Sequence, residues 1–273
     1  MSGEYEVIKP MTASEIGQYM ERIGYEGAWE PVKETLDELI YRHQCSVPFE
    51  TVDTHDFGMA VDLSPDVIFD KIVTRHRGGY CLELNGAFYR LLVSLGFETR
   101  PCLCRVLWGS DEFTHPIDHR ANLVTLDGKT YYCDVGAGGP LPPGGLDIEE
   151  TDWQQVRGEF FRIEPHDIGW KAIRRRTRGS SDVYNETSAA DRIEMLFTTI
   201  RCYATDLEFL NYYMYTHPEA LHKQHRILNR RTAEGFCAIW DDEFKELRDG
   251  RVVKEKIDGN LYQILDEKFG IVL

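Results

Sequence analysis

No stretch of this chain approaches the ~18 consecutive apolar residues that a membrane-spanning helix needs. The leading segment MSGEYEVIKPMTASE has acidic residues and no apolar run, so it does not read as a secretory signal. Basic residues are scarce. Against 46 Asp and Glu stand 31 Lys and Arg, a formal net charge of −15. That field argues against nucleic acid as the main partner, while leaving room for a small anion in a local basic pocket. The one dense basic stretch, KAIRRRTR (171–178), reads as a solvated strand face or, less commonly, as a patch for an anionic substrate. The seven cysteines (45, 81, 102, 104, 133, 202, 237) include no CxxC pair and no metal-ligand spacing. A disulfide framework, a structural zinc site and a bound metal are therefore not expected. CLC at 102–104 lies in an apolar strand and reads as buried, reduced thiols. These features suggest a cytoplasmic protein.

The 273 residues, 42% hydrophobic and without internal repeats or low-complexity linkers, suffice for one large domain or a few small ones with a sizeable core. The first ~95 residues read as helices. Thr12 with Glu15 three positions on forms a capping-box pattern. A second helix begins near Pro31 and must end before Pro48. Ser64 and Pro65 read as cap and first residue of a third, which stops at Gly78 and Gly79. From Cys81 onward, Leu84, Phe88, Leu91, Leu92 and Leu95 share one helical face, and Gly96 ends the run. The period then changes, and strand-like segments continue to about residue 185. The last portion mixes an expected helix over ADRIEMLFTTIRCYAT (190–205), hairpin-like strands and a closing helix near GNLYQILDEKFG. Helices first, strands second and a mixture last indicate α+β segregation.

RHRGGYCLELN (75–85) places Cys81 after two glycines and at the front of a helix. Unpaired N–H groups and the positive end of the dipole favour a thiolate there. Gly78 and Gly79 allow a sharp turn and leave room for a substrate. By position alone, Cys81 could equally fill a small space in the core, and Arg77 could be a charge donor or a structural ion-pair residue.

DHRANLVTLDGKTYYCDVG supplies partners. A turn at Asp127–Gly128 makes Leu126 face Lys129. His119 then pairs with Gly136, and Asp134 lies diagonally on the same face, roughly 7–8 Å away between α-carbons. Such a pair can form the imidazole–carboxylate bond that fixes tautomer and orientation. His115, beside Pro116, shares the parity but lies four residues further down the ladder, too far from Asp134.

RGGYCLELN resembles the active-site signature of the arylamine N-acetyltransferases, and HRANLV with DVGAGG resembles that family's His and Asp motifs at the expected spacing. HQCSVPFETVDTH (43–55), DLEFLNYYMYTHP and RILNRRTAEG resemble others, so the likeness spans nearly the whole chain. The resemblance implies an N-terminal helical bundle (1–95), a central β-barrel (96–187) and a C-terminal α/β lid (188–273), with a cysteine-protease-like triad. It implies Cys81 as nucleophile, His119 as base and Asp134 as its orienter. Glu50 and Arg77 match a supporting ion pair, and motif adjacency puts Ala137 and Gly138 near the substrate. The implied reaction is ping-pong transfer of acetyl from acetyl-CoA, a co-substrate, to an arylamine, arylhydroxylamine or hydrazine, with no metal, as in xenobiotic metabolism.

Two departures stand out. Ala137 replaces a phenylalanine common in the family, which should enlarge the cleft and favour a bulkier acceptor or a larger acyl donor, provided nothing else fills the space. PLPPGGLD (140–147) reads as a surface connection or, less commonly, a pocket border. Thr216 and His217 could approach the cleft or simply end a helix. A cysteine hydrolase, a transglutaminase-like enzyme, an amide synthase acting on the same triad and a non-catalytic binding protein are the rival readings.

Overall fold

The computed structural model describes residues 9–108, 115–139, 141–176, 191–249 and 251–273. The amino-terminal portion is built from α1 (Ala13–Ile23), α2 (Lys33–Ser46), β1 (Phe49–Glu50), α3 (Val52–His55), α4 (Pro65–Phe69) and α5 (Cys81–Ser94). The Thr12 capping box forms as the spacing predicts, with Thr12 N–H donating to Glu15 and Glu15 N–H donating to Thr12 Oγ1. Ser64 differs: it precedes Pro65 at the start of α4, but its hydroxyl turns back to Asp62 rather than capping the helix. After α4 the chain makes one π-helical turn (Asp70–Thr74). Leu36, Leu39, Ile40, Phe88, Leu91 and Leu92 bury the shared apolar face. Burial on this scale stabilises by roughly 1.5–3 kcal/mol per large side chain.

The central portion is one antiparallel sheet of β2 (Glu98–Val106), β3 (His119–Leu126), β4 (Lys129–Cys133), β5 (Leu146–Asp147), β6 (Gln154–Val156), β7 (Glu159–Asp167), β8 (Trp170–Arg175) and β9 (Arg192–Thr198). The order β5-β4-β3-β2-β9-β8-β7-β6 rolls it into a nearly closed barrel. Near the seam the Gln154 amide donates to the Asp147 carbonyl at 2.9 Å, and its oxygen accepts from Asp147 N–H at 2.8 Å. Side chains such as Cys102, Cys104, Tyr132, Phe161 and Phe197 fill the interior. The Cys102 and Cys104 thiols share one face, 3.9 Å apart, in hydrogen-bond contact and not joined by a disulfide.

The helix expected over 190–205 is not present: Arg192–Thr198 is β9, paired with β2 and β8 inside the barrel sheet. These residues go with the second portion rather than the third. The remainder comprises α6 (Ala204–Thr216), α7 (Leu221–Gln224), β10 (Ile227–Arg231), β11 (Phe236–Trp240), β12 (Glu243–Arg248), β13 (Arg251–Lys256) and α8 (Leu261–Ile264). Its sheet runs β1-β10-β11-β12-β13, so a strand of the helical portion forms one edge, with Phe49 opposite Asn229.

The described part of the PLPPGGLD segment, 141–147, is not a surface connection, and Pro140 lies outside the described residues. Leu141–Leu146 is buried and tied down by distant side chains. Arg231 donates to the carbonyls of Gly139 and Leu141, and Gln44 to that of Pro142. Lys171, Arg174 and Arg175 of the basic stretch pair with Glu149, Glu164 and Glu194, and Arg175 is buried, while exposed Arg176 lies over the Trp153 and Phe160 rings. Thr177 and Arg178 lie outside the described residues. Among the described residues, no helix is long and apolar enough to cross a membrane.

Candidate active site

Cys81 is the first residue of α5 because Tyr80 is extended and Glu83, three residues on, accepts the Tyr80 N–H at 2.9 Å. The preceding glycines serve close approach rather than a left-handed turn. A β-carbon on Gly78 would fall 2.1 Å from the Pro48 carbonyl, and one on Gly79 would fall 2.7 Å from Glu83. Beneath this turn lies a buried ionic cluster. Arg77 bonds Glu50 at 2.7 Å and Asp53 at 2.9 Å, while Lys71 bonds both Asp53 and Glu83 at 2.7 Å. Arg77 is therefore engaged with acids below the helix start and is not aimed at the sulfur. Burial pushes the Glu83 carboxyl upward even against the Lys71 ammonium.

The hairpin has the expected register: Leu126 opposes Lys129 across a turn in which Asp127 and Gly128 both have positive φ. The ladder runs to Asn122 opposite Cys133. Beyond it, Asp134 turns inward and accepts from His119 Nε2 at 2.7 Å. The Cys81 sulfur is close enough for its charge to favour the protonated imidazole. Cys81, His119 and Asp134 are thus gathered in one buried group, each at most 2% exposed. Burial works against a charged imidazole, but the Asp134 carboxylate and the Cys81 sulfur outweigh it and hold His119 well above the ordinary histidine range. Asp134 is likewise disfavoured as an anion by burial, yet His119 and two further donors, Tyr132 and Asn85, bring its carboxyl below the usual value. The Cys81 sulfur also lies 3.7 Å from the Asp118 carbonyl.

Both Asp134 oxygens are doubly bonded to donors. Oδ2 accepts from His119 and from the Tyr132 hydroxyl at 2.6 Å; Oδ1 accepts from Asn85 Nδ2 at 2.8 Å and Gly136 N–H at 2.9 Å. Asn85 also accepts the Val135 N–H, and Gln44 donates to the Asp134 carbonyl. None of Tyr132, Asn85 and Gln44 stood among the sequence candidates. Two signals were present: Asn85 is one helical turn after Cys81, and Tyr132 is two strand residues before Asp134.

The other candidates fall elsewhere. His115 is remote from Asp134's ring of donors, and its carbonyl accepts from Arg105. Thr216 and His217 end α6: Thr216 bonds the Tyr212 carbonyl, and His217 stacks on Tyr213 at 4.6 Å. The residue of this region that reaches the triad electrostatically is His222. Its imidazole is pushed down to about 4 by burial and by the charge on His119, and its ring packs 5.4 Å from that of Tyr80. Ala137 is buried among the barrel's apolar side chains, 4% exposed. Gly138 (φ +69°) abuts Asn229, which accepts the Gly139 N–H. A cavity of about 740 Å³ opens between α4, α5 and α6, with Leu82 and Arg120 in its wall. Among the described residues, no group of three or more His, Cys, Asp or Glu is placed to hold a metal ion.

A thiol, an imidazole and a carboxylate grouped in this order, with the thiol at a helix start, define the class of cysteine-dependent transferases and hydrolases. Within it, the N-acetyltransferase family pattern matches residues 33–273. The arylamine N-acetyltransferase of Mycobacterium tuberculosis is 34% identical over 211 residues, covering 76% of this chain and 70% of that protein. The chain belongs to the arylamine N-acetyltransferase family and is an acyltransferase. The solved structure of Mycobacterium marinum arylamine N-acetyltransferase in complex with CoA superposes with a TM-score of 0.84 at 27% identity, covering 94% of this chain and 92% of that one. The proansamycin X synthase of Amycolatopsis mediterranei is 32% identical over 167 residues, 60% of this chain and 64% of that protein.

Proposed function

We propose that this protein transfers acetyl from acetyl-CoA to the nitrogen of an arylamine, arylhydroxylamine or hydrazine, through an acetyl thioester on Cys81. The observation that carries the proposal is the buried grouping of Cys81 at a helix start with His119 and the Asp134 carboxylate bonded to that imidazole, in a member of this family. His119, held protonated by Asp134, leaves the Cys81 sulfur as the anion of the pair. The sulfur attacks the thioester carbonyl, the carbon–sulfur bond to coenzyme A breaks, and the leaving thiolate takes the His119 proton. His119 is now neutral. As the amine nitrogen attacks the acetyl carbon, His119 accepts its proton and Cys81 departs as thiolate, restoring the starting state. Glu50 and Arg77 support the turn before Cys81.

The same reading places the protein in the cytoplasm, since all seven cysteines are unpaired and two lie close enough to touch without forming a disulfide. It divides the chain at about residues 95 and 199, the second boundary moved past β9. Ala137 and Gly138, three and four residues after Asp134, stand as the substrate-side residues.

A second reading, an amide synthase or an acyltransferase using a larger donor on the same triad, is favoured by Ala137 in the position of the family phenylalanine and by the likeness to proansamycin X synthase. Intact mass after mixing with acetyl-CoA separates the two. One added acetyl group, absent in Cys81→Ala and discharged by an aminobenzoate, is expected. No adduct from acetyl-, propionyl- or malonyl-CoA would move the amide-synthase reading to first place.

A further inference from the structure

Tyr132 occupies a position that the acyl-transfer chemistry does not by itself require. It lies on the inward face of β4, fully buried, with its ring 4.9 Å from that of Phe197 in the barrel interior. A hydroxyl at that depth must find a partner or cost roughly 1–3 kcal/mol. It finds the Asp134 Oδ2 atom at 2.6 Å, and that oxygen is the one 2.7 Å from His119 Nε2. The phenol is held in its protonated, donating form, because burial and then the Asp134 charge both push its ionisation upward.

We propose that Tyr132 is a positioning residue of the acyl-transfer pair: by sharing the Asp134 oxygen that binds His119, its hydroxyl sets how tightly that carboxylate holds the imidazole proton. The inference rests on the triad reading above. A second donor on one carboxylate oxygen draws charge away from the first bond. The proton on His119 is then held strongly enough to keep the sulfur anionic, yet is released once coenzyme A departs. His119 is faced from α5 by Cys81, from β4 by Tyr132 and from just past that strand by Asp134, from β2 by Cys104 directly opposite, from the approach to β3 by Asp118, and from α7 by His222. Of these, Tyr132 and Cys104 are uncharged neighbours whose hydroxyl and thiol lie 3.9 Å apart. Only the hydroxyl reaches the carboxylate oxygen that binds His119.

The test is a ring-carbon NMR titration of His119 in the full chain, run on wild type, Tyr132→Phe and a variant with 3,5-difluorotyrosine at position 132. Phenylalanine keeps the packing on Phe197 and removes the donor, so the His119 midpoint should rise by about half a pH unit or more. The fluorinated phenol is a stronger donor and should lower it. In discharge of pre-acetylated enzyme by an aminobenzoate, the pH limb set by neutral His119 should move up by the same half unit in Tyr132→Phe, a slowing of about threefold at pH values below that midpoint. A midpoint unmoved in both variants overturns the inference, whatever happens to stability. If Tyr132→Phe fails to fold, the fluorinated variant decides alone. Wild type that forms no acetyl-enzyme would instead refute the proposed reaction, and the midpoint shift would still be readable.

Discussion

Asp134 holds His119 through one oxygen, 2.7 Å from Nε2, while its other oxygen is fixed by Asn85 and the Gly136 N–H. The carboxylate therefore cannot rotate without breaking bonds to three separate elements, and the imidazole it orients faces Cys81. Asp134→Asn keeps the shape but removes the charge and presents an NH2 group to one set of donors. Acetylation of Cys81 should fall about 10³–10⁴-fold, the scale seen when a triad loses its orienting charge. Rapid-quench mass spectrometry measures this directly. An unchanged rate would remove Asp134 from the chemistry.

Gly136 is restricted by space and not by its backbone angles. An added β-carbon would sit 2.4 Å from Asn85 Nδ2 and 3.1 Å from both Cα and Cβ of Cys81. Gly136→Ala should push α5 away from the hairpin, destabilising by about 1–3 kcal/mol and lowering acetylation on the order of 100-fold. Gly17 in α1 has nothing within 4 Å of the same added atom. Gly17→Ala should leave the rate unchanged and stabilise by about 0.5–1 kcal/mol. Equal behaviour of the two variants in urea melts and acetylation assays would refute the steric account.

Much of this site was legible because it rests on local rules. Turn chemistry at Asp127–Gly128 and strand parity brought His119 to Asp134, and the glycine stop followed by apolar periodicity from Leu84 to Leu95 brought Cys81 to a first turn. What was not legible depends on distant cover. Leu141–Leu146 reads as a surface loop by its prolines and glycines; it is buried because Arg231 and Gln44, about ninety residues away in opposite directions, take up its carbonyls. β9 reads as a helix because Ile193, Leu196, Phe197 and Ile200 fall at helical spacing. In the barrel the Glu194 carboxylate is buried against Arg175, while Met195 and Phe197 face the interior. Tyr132 reads as an ordinary core aromatic until the carboxylate beside it is located.

Ala137 packs into the barrel interior in the company of Leu141 and Phe161. The space an aromatic ring would occupy is thus partly taken by neighbours. Ala137→Phe should destabilise by about 1–3 kcal/mol through overpacking. Any ring that does turn toward the triad should narrow donor choice, so propionyl-CoA should lose more acetyl-enzyme yield than acetyl-CoA. Thermal melts and graded donors on both proteins check the two effects. Equal selectivity would remove Ala137 from the substrate wall.

Stability should peak near pH 6.5. His43 lies between Tyr19 and Phe88 with neither ring nitrogen bonded, and burial, then the Arg22 charge, pushes it down to about 3. His222 is pushed down to about 4 by burial and the charge on His119. Both would titrate near ~6.5 in the unfolded chain. Between that pH and about 4, the unfolded chain binds two histidine protons the folded one does not, a contribution of about 3 kcal/mol per pH unit lost on acidification, which the raised Glu83 and Asp118 carboxyls partly offset. His119 acts in the opposite sense. Its folded value is raised, so its contribution is complete below ~6.5 and is lost as pH climbs through that folded value. The lowered Asp134 carboxyl adds stability above its unfolded value near ~3.9 and loses it only below, outside this window. His43→Phe should therefore halve the histidine share of the acid slope, leave the alkaline limb intact, and stabilise at every pH by relieving the unpaired ring nitrogens. Urea midpoints at pH 5, 6.5 and 8 decide the matter, and an acid slope unchanged by His43→Phe would show that buried neutral histidines are not its source.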